Sequence, residues 1–272
     1  LGGCQSLVNA VMGVVVTNGG KVLTGKTVRR IIIENGRATG IELADGRVES
    51  ADLVLASGGM KEVFFDLVGR EHLPEEFTQQ IESNRLMESV LMVQLGIDFD
   101  PRPYQPAALC YYYKTDDLEG AVRRIRLGDY HEGKEGFLIY VPSLHSPALA
   151  PRGKYAVTIY TVAPDTLDEG DWSSRREELA DKLVAAAEAH IPVLRKHTVT
   201  RLILTPEDYR KRTHQVRHSF GGVPPVIGNK PPAHKTPIQG LWFIGAQSES
   251  AGGVLNVMTG AQKVAKRILK GE

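Results

Sequence analysis

Apolar positions at Leu7, Val8, Val11, Met12, Val15 and Val16 follow an i, i+1, i+4, i+5 rhythm, which predicts one face of an amphipathic helix over residues 5–18. Asn18-Gly19-Gly20 should end it, because both residue types accept the left-handed conformation of a C-cap. Three β-rich stretches follow at 28–34, 38–43 and 48–55, separated by Asn35-Gly36 and Asp45-Gly46. Both dipeptides favour tight hairpin turns with positive φ. Within the third stretch, the apolar run 51–56 leads into Ser57-Gly58-Gly59. Such small residues either let backbone approach a ligand or only permit a turn.

From about residue 60 to 225 the pattern changes to mixed strands, among them 89–99, 136–141 and 155–163, with Pro-rich connections such as Asp100-Pro101-Arg102-Pro103. Leu179, Leu183, Ala187 and Ile191 at i+4 spacing predict a helix over 173–191, capped by Ser173 or Ser174, with Glu177 and Glu178 favourable in its first turn. In the run Tyr111-Tyr112-Tyr113, a strand would send Tyr111 and Tyr113 to one face and Tyr112 to the other. Core packing is the favoured reading of these tyrosines; lining for a long apolar substrate is the other. After Phe220 the chain is rich in Gly and Pro and reads as an extended crossover. Leu241-Trp242-Phe243-Ile244 is a short buried strand. Gly252-Gly253 opens a last helix striped by Val254, Val257, Met258, Ala261, Val264, Ala265 and Ile268. The fold class is α/β plus α+β.

Composition narrows the function. With 33 basic and 32 acidic residues the formal charge is +1, which provides no concentrated field for nucleic acid. Two cysteines, Cys4 and Cys110, build neither a disulfide scaffold nor a Cys-based zinc site, and a reducing cytosol is the expected compartment. No apolar run is long enough to span a membrane, and no basic-then-apolar signal peptide opens the chain. The start at Leu1, directly before Gly2-Gly3 and a helical pattern, reads as that of a fragment or a processed piece.

The unit that carries chemistry is strand, Gly245-Ala246, loop, Gly252-Gly253, helix. A helix start offers unpaired N–H groups and the positive end of a dipole, and glycines leave backbone open to a flat or anionic ligand. Spacing alone also fits an ordinary α/β turn. Other signals are weaker. His214 and His218 stand four apart, as on one helical face, but lack a carboxylate in a metalloprotease relation and run at once into Gly221-Gly222, so no metal is expected. Arg210, Lys211, Arg212 and Arg217 read as surface. Ser248 and Ser250 lack a nucleophile-elbow context, and Glu249 reads as a solvated loop carboxylate. No catalytic acid or base stands out.

The segment from Thr236-Pro237-Ile238 through Leu241–Ile244, Gly245-Ala246 and Gly252-Gly253-Val254 to Thr259-Gly260-Ala261 resembles the C-terminal flavin motif of phytoene desaturase-like FAD-dependent oxidoreductases, in the flavin amine oxidase/GDI-like superfamily. Gly2-Gly3-Cys4-Gln5, Gly19-Gly20-Lys21-Val22 and Thr27-Val28 resemble earlier stretches of the same family. The resemblance implies a two-domain, Rossmann-like FAD-binding oxidoreductase with an inserted mixed-sheet substrate domain. This chain would supply part of the FAD domain at 1–58 and 226–272 and the insert at 59–225. It implies Gly245 and Ala246 near the pyrophosphate and ribityl chain, Gly252, Gly253, Val254 and Leu255 near the flavin ring, and Val28 at the adenine. The expected chemistry is hydride transfer between flavin and an apolar, polyene or isoprenoid-like small molecule, by a desaturase, saturase or isomerase. The family's G-x-G-x-x-G unit, which seats the pyrophosphate, is absent, so this chain alone is not expected to bind FAD tightly. The alternatives are a non-redox prenyl- or lipid-binding protein of the GDI-like fold, or an inactive truncated domain. Peripheral membrane contact of a longer protein and its oligomeric state stay open.

Overall fold

A computed structural model of the protein describes residues 2–271. In chain order its helices are α1 (Gly3–Thr17), α2 (Glu75–Ser83), α3 (Leu118–Arg126), α4 (Trp172–Glu188), α5 (Pro206–Thr213) and α6 (Val254–Leu269), with a π-helical turn at Glu62–Gly69. Its strands are β1 (Val28–Glu34), β2 (Arg37–Leu43), β3 (Val48–Ser50), β4 (Val54–Ser57), β5 (Ser89–Ile97), β6 (Leu109–Tyr113), β7 (Gly136–Tyr140), β8 (Tyr155–Ala163), β9 (Thr198–Leu204) and β10 (Leu241–Ile244). Two units form: the chain up to Val22 with Glu88–Arg212, and Leu23–Met87 with the chain from Thr213 on.

In the second of these units, Asn35 and Gly36 both take positive φ, 51° and 76°, and close the hairpin between β1 and β2. The predicted strand at 48–55 is two strands. Polar, exposed β3 pairs antiparallel with β2, whereas apolar β4 pairs in parallel with β10. The chain changes sheet at Asp52, whose carbonyl accepts from the Arg37 guanidinium at 2.8 Å, while the Val54 N–H donates to Gly240 O. Ile31, Ala38, Phe64, Phe77, Ile238, Leu241 and Phe243 belong to the core, with Phe64 edge-on to Phe77 at 4.8 Å. Helix α6 forms where predicted, but of its stripe only Val264 is fully buried, together with Gly260.

In the other unit the antiparallel sheet runs β6-β7-β8-β5-β9. Leu179, Leu183, Val184 and Ala187 of α4 bury against one face, through Leu91, Val93, Leu95, Ile139 and Ile159. Helix α4 is capped by Asp171, whose Oδ1 accepts the Ser174 N–H at 2.7 Å, not by Ser173 or Ser174. Tyr112 points to this core and donates its hydroxyl proton to Gln105 at 3.0 Å. Tyr111 and Tyr113 do not pack in it. They lie stacked on the opposite face, 59% and 70% exposed. Helix α1 ends at Asn18, with Gly19 at φ 82°, yet buries none of its residues. His214 and His218 share no helix, since α5 ends at Thr213 and His214 takes φ 54°.

A pH dependence follows from His131. Its Nδ1 accepts the Gly133 N–H at 3.1 Å, and its Nε2 lies 3.3 Å from the Thr161 hydroxyl, which itself donates to Gly136 O. Burial holds the ring below its ordinary pKa against the pull of the Glu135 carboxylate. The unfolded chain therefore takes up the proton first, and stability should fall as pH drops below about 6.5. His131→Gln should flatten that fall, seen as a smaller loss of urea midpoint between pH 8 and pH 5.5 than in the parent protein.

Candidate functional site

Strands β4 and β10 run in parallel, with Ser57 opposite Ile244, so their carboxyl ends lie side by side. Each runs into a glycine of positive φ, Gly58 at 126° and Gly245 at 99°. A Cβ at Gly58 would meet nothing within 4 Å, and one at Gly245 only the Ser57 side chain at 3.6 Å. Both positions are glycine for their backbone angle, and both leave open backbone at the strand ends, where α/β sheets bind ligands.

Polar groups hold the loop that follows. The Ser248 hydroxyl donates to Gly245 O at 2.7 Å, and Gln247 Oε1 accepts the Met60 N–H at 2.8 Å, tying this loop to the one after β4. His234 is buried beside it. Its Nδ1 donates to Phe243 O, its Nε2 faces the Ser250 hydroxyl, and its backbone N–H donates to Glu249 Oε1, each at 2.8 Å. Neither Gln247 nor His234 stood out in the sequence. Their only signal is a polar side chain set among glycines and prolines.

The glycine pair divides by cause. Gly252 has no left-handed φ, but an added Cβ would overlap the carbonyl oxygen of Gly221. Gly222 meets Ala246 O in the same way. This close approach is therefore made by the protein's own backbone, so the need for glycine at position 252 requires no ligand. Gly253, at φ 104°, precedes α6, and an added Cβ there would meet only the Asn256 amide at 3.7 Å. No side chain caps α6 and its first turn holds no acid, and the N–H groups of Val254, Leu255 and Asn256 precede the first intrahelical donor, the Val257 N–H, which bonds Gly253 O at 3.0 Å. The Val254 and Leu255 side chains are 58% and 77% exposed. This end can accept an electron-rich or anionic group beside a flat apolar surface.

The structure thus brings Gly245, Ala246, Gly252, Gly253, Val254 and Leu255 into one turn. Val28 lies elsewhere, in β1 opposite Leu43. The parallel bridge between Arg37 and Gln239 ties β2 to the entry of β10. From that bridge β2 and β10 run the same way, which leaves the Val28–Leu43 end and Gly245 to the same side of it.

No family model matches the sequence. Curated relatives do. The phytoene desaturase (lycopene-forming) of a Paracoccus strain is 25% identical over 276 residues, 98% of this chain and 54% of that protein. The mouse pyridine nucleotide-disulfide oxidoreductase domain-containing protein 2 is 26% identical over 93% of this chain and 48% of its own length. Plant prolycopene isomerases match over a similar extent. Among solved structures, an oxidoreductase from Methanosarcina mazei aligns over 97% of this chain and 54% of its own, with a TM-score of 0.66 and 23% identity. The chain spans about half the length of the relatives it matches. Over almost its whole length the sequence is similar to phytoene desaturases and prolycopene isomerases, the group its end segments resemble, and its fold is similar to that of the Methanosarcina oxidoreductase.

Proposed function

We propose that this chain is the C-terminal part of an FAD-dependent oxidoreductase that moves hydride between flavin and an apolar, polyene- or isoprenoid-like small molecule, as a desaturase, saturase or isomerase. The observation that carries the reading is the open backbone at Gly58 and Gly245 beside the uncapped start of α6. These residues fit FAD by chemistry: N–H groups for a carbonyl edge or an anion, exposed Val254 and Leu255 for a flat ring. FAD, when bound, supplies hydride acceptance or donation. Gly245 and Ala246 hold the pyrophosphate and ribityl side. Gly252 shapes the turn, and Gly253, Val254 and Leu255 would border the ring, their N–H groups able to stabilise negative charge there. Val28 holds the adenine. No residue of this chain is assigned a proton transfer.

Two apolar surfaces support the rest of the proposal. Leu53 and Leu55 on and before β4, and Val254, Leu255 and Met258 on α6, are all more than a third exposed. These exposed positions suit cover by a preceding βαβ unit, as does the half-length match to relatives. In the other unit, the sheet face away from α4 carries Tyr111, Tyr113, Tyr140, Val162 and Leu202, all exposed, beside a groove of about 600 Å³ along Gly96, Thr158 and Leu202. It suits an apolar substrate, in keeping with relatives named for phytoene, lycopene and prolycopene. No helix among the described residues is long and apolar enough to cross a membrane. We place the longer protein in the cytoplasm, with peripheral contact to a membrane that holds such a substrate.

The second reading, a prenyl- or lipid-binding protein without redox chemistry, draws support from Gly252, whose need for glycine is met by Gly221 alone. Titration of FAD into these 272 residues tests the half-site. Without the pyrophosphate-seating unit, binding should be no tighter than about 10 μM, roughly 7 kcal/mol or less. Flavin copurifying in equimolar amount with this chain contradicts that.

A further inference from the structure

We infer that His234 is a positioning residue for the flavin-facing turn, acting through Ser250. The inference rests on the flavin reading above for its functional meaning and on hydrogen bonds for its geometry. A carbonyl can only accept, so the 2.8 Å contact to Phe243 O puts the proton on Nδ1. The other nitrogen, Nε2, makes a 2.8 Å hydrogen bond with the Ser250 hydroxyl. One imidazole thereby joins the next-to-last residue of β10 to the residue two before Gly252. Its main chain adds two further ties, since the Phe243 N–H donates to His234 O at 2.9 Å and the His234 N–H donates to Glu249 Oε1.

The last helix is shaped around this pair. An added Cβ at Gly260 would overlap the Ser250 hydroxyl and come within 3.0 Å of His234 Nε2. Gly260 is an interior helical residue with ordinary φ, where glycine is less favourable than alanine. Its presence in α6 is explained by the room the Ser250–His234 pair occupies. The same crowding sets the Ser250 oxygen against the helix. Imidazole is the side chain that serves here because it forms hydrogen bonds at two edges of one rigid ring. The consequence for the flavin site is positional: Ala251 at φ 57°, Gly252 and Gly253 hang from Ser250, and the first N–H groups of α6 follow directly.

The test compares His234→Ala, His234→Gln and Ser250→Ala in this chain by amide hydrogen exchange. Loss of the tie should speed exchange of the amides from Ser250 to Leu255 by about tenfold, with β1 to β3 unchanged. His234→Gln, whose amide reaches the Ser250 hydroxyl, should recover most of the protection. Ser250→Ala keeps the ring and should reproduce the local change if His234→Ala does not fold. In a longer FAD-bound protein carrying these residues, Ser250→Ala should shift the visible flavin circular dichroism and the flavin reduction potential. No change in exchange, or an equal rise through β1 to β3, overturns the inference. So does a local change in exchange that leaves the flavin signals as they were. A longer protein that holds no flavin instead defeats the flavin reading, while the exchange result stands by itself.

Discussion

Gly252→Ala is expected to destabilise the unit built on β4 and β10 by about 3 kcal/mol, near the top of the usual range for overpacking a tight site. The atom the new methyl group meets is the carbonyl oxygen of Gly221, a backbone atom that cannot swing aside as a side chain would. Relief requires moving the 221–222 strand of chain, and Gly222 is itself in overlap distance of Ala246 for any added Cβ. Gly253→Ala provides the comparison. Its φ of 104° and ψ of 138° lie near a region occupied essentially by glycine alone, which strains alanine by about 1–3 kcal/mol, but the nearest neighbour of the added atom is the Asn256 amide at 3.7 Å. Urea midpoints should therefore rank wild type, then Gly253→Ala, then Gly252→Ala, in the absence of any flavin. If Gly252→Ala matches wild type, Gly221 does not shape this turn, and the glycine must be explained by a ligand after all.

What the sequence made legible was local. The Asn35-Gly36 turn formed as expected because its chemistry is contained in two residues with positive φ. Strand β8 at Tyr155–Ala163 and strand β10 at Leu241–Ile244 matched their predicted bounds, since alternation or an apolar run bracketed by turn residues marks them directly. The stretch at 48–55 misled because an unbroken β-prone run does not show that its two ends pair with different sheets. That division is decided by partners from β2 and β10, which lie far apart in sequence. The cap of α4 was missed by two residues: Trp172 begins the helix inside the apolar core, so the capping residue is the aspartate before it. Tyr111 and Tyr113 were given to the core because tyrosines on a strand usually find one, and only the placement of α4 on the other face reveals them as exposed.

The candidate site was legible as a segment but not as a set of contacts. Gly245, Ala246, Gly252, Gly253, Val254 and Leu255 do come together in one turn. The reason for each glycine was not readable, however, because the 221–222 loop that crowds Gly252 is about 30 residues away in the chain. For the same reason the tie between His234 and Ser250, across 16 residues, left no periodic or motif signal.

The central claim is that these residues form half of an FAD site, completed by a chain segment that seats the pyrophosphate. The expected effect of completion is large, because the residues of this chain border the cofactor while its pyrophosphate is seated on the helix start that the segment supplies. With it, flavin should bind tightly enough to survive purification. The most direct measurement is the visible absorption spectrum of a longer protein in which this chain is preceded by its βαβ unit. The account predicts a yellow protein with about one FAD per chain, bleached by an added reductant under anaerobic conditions. A colourless protein that cannot be reconstituted with FAD would contradict it and leave the lipid-binding reading in its place.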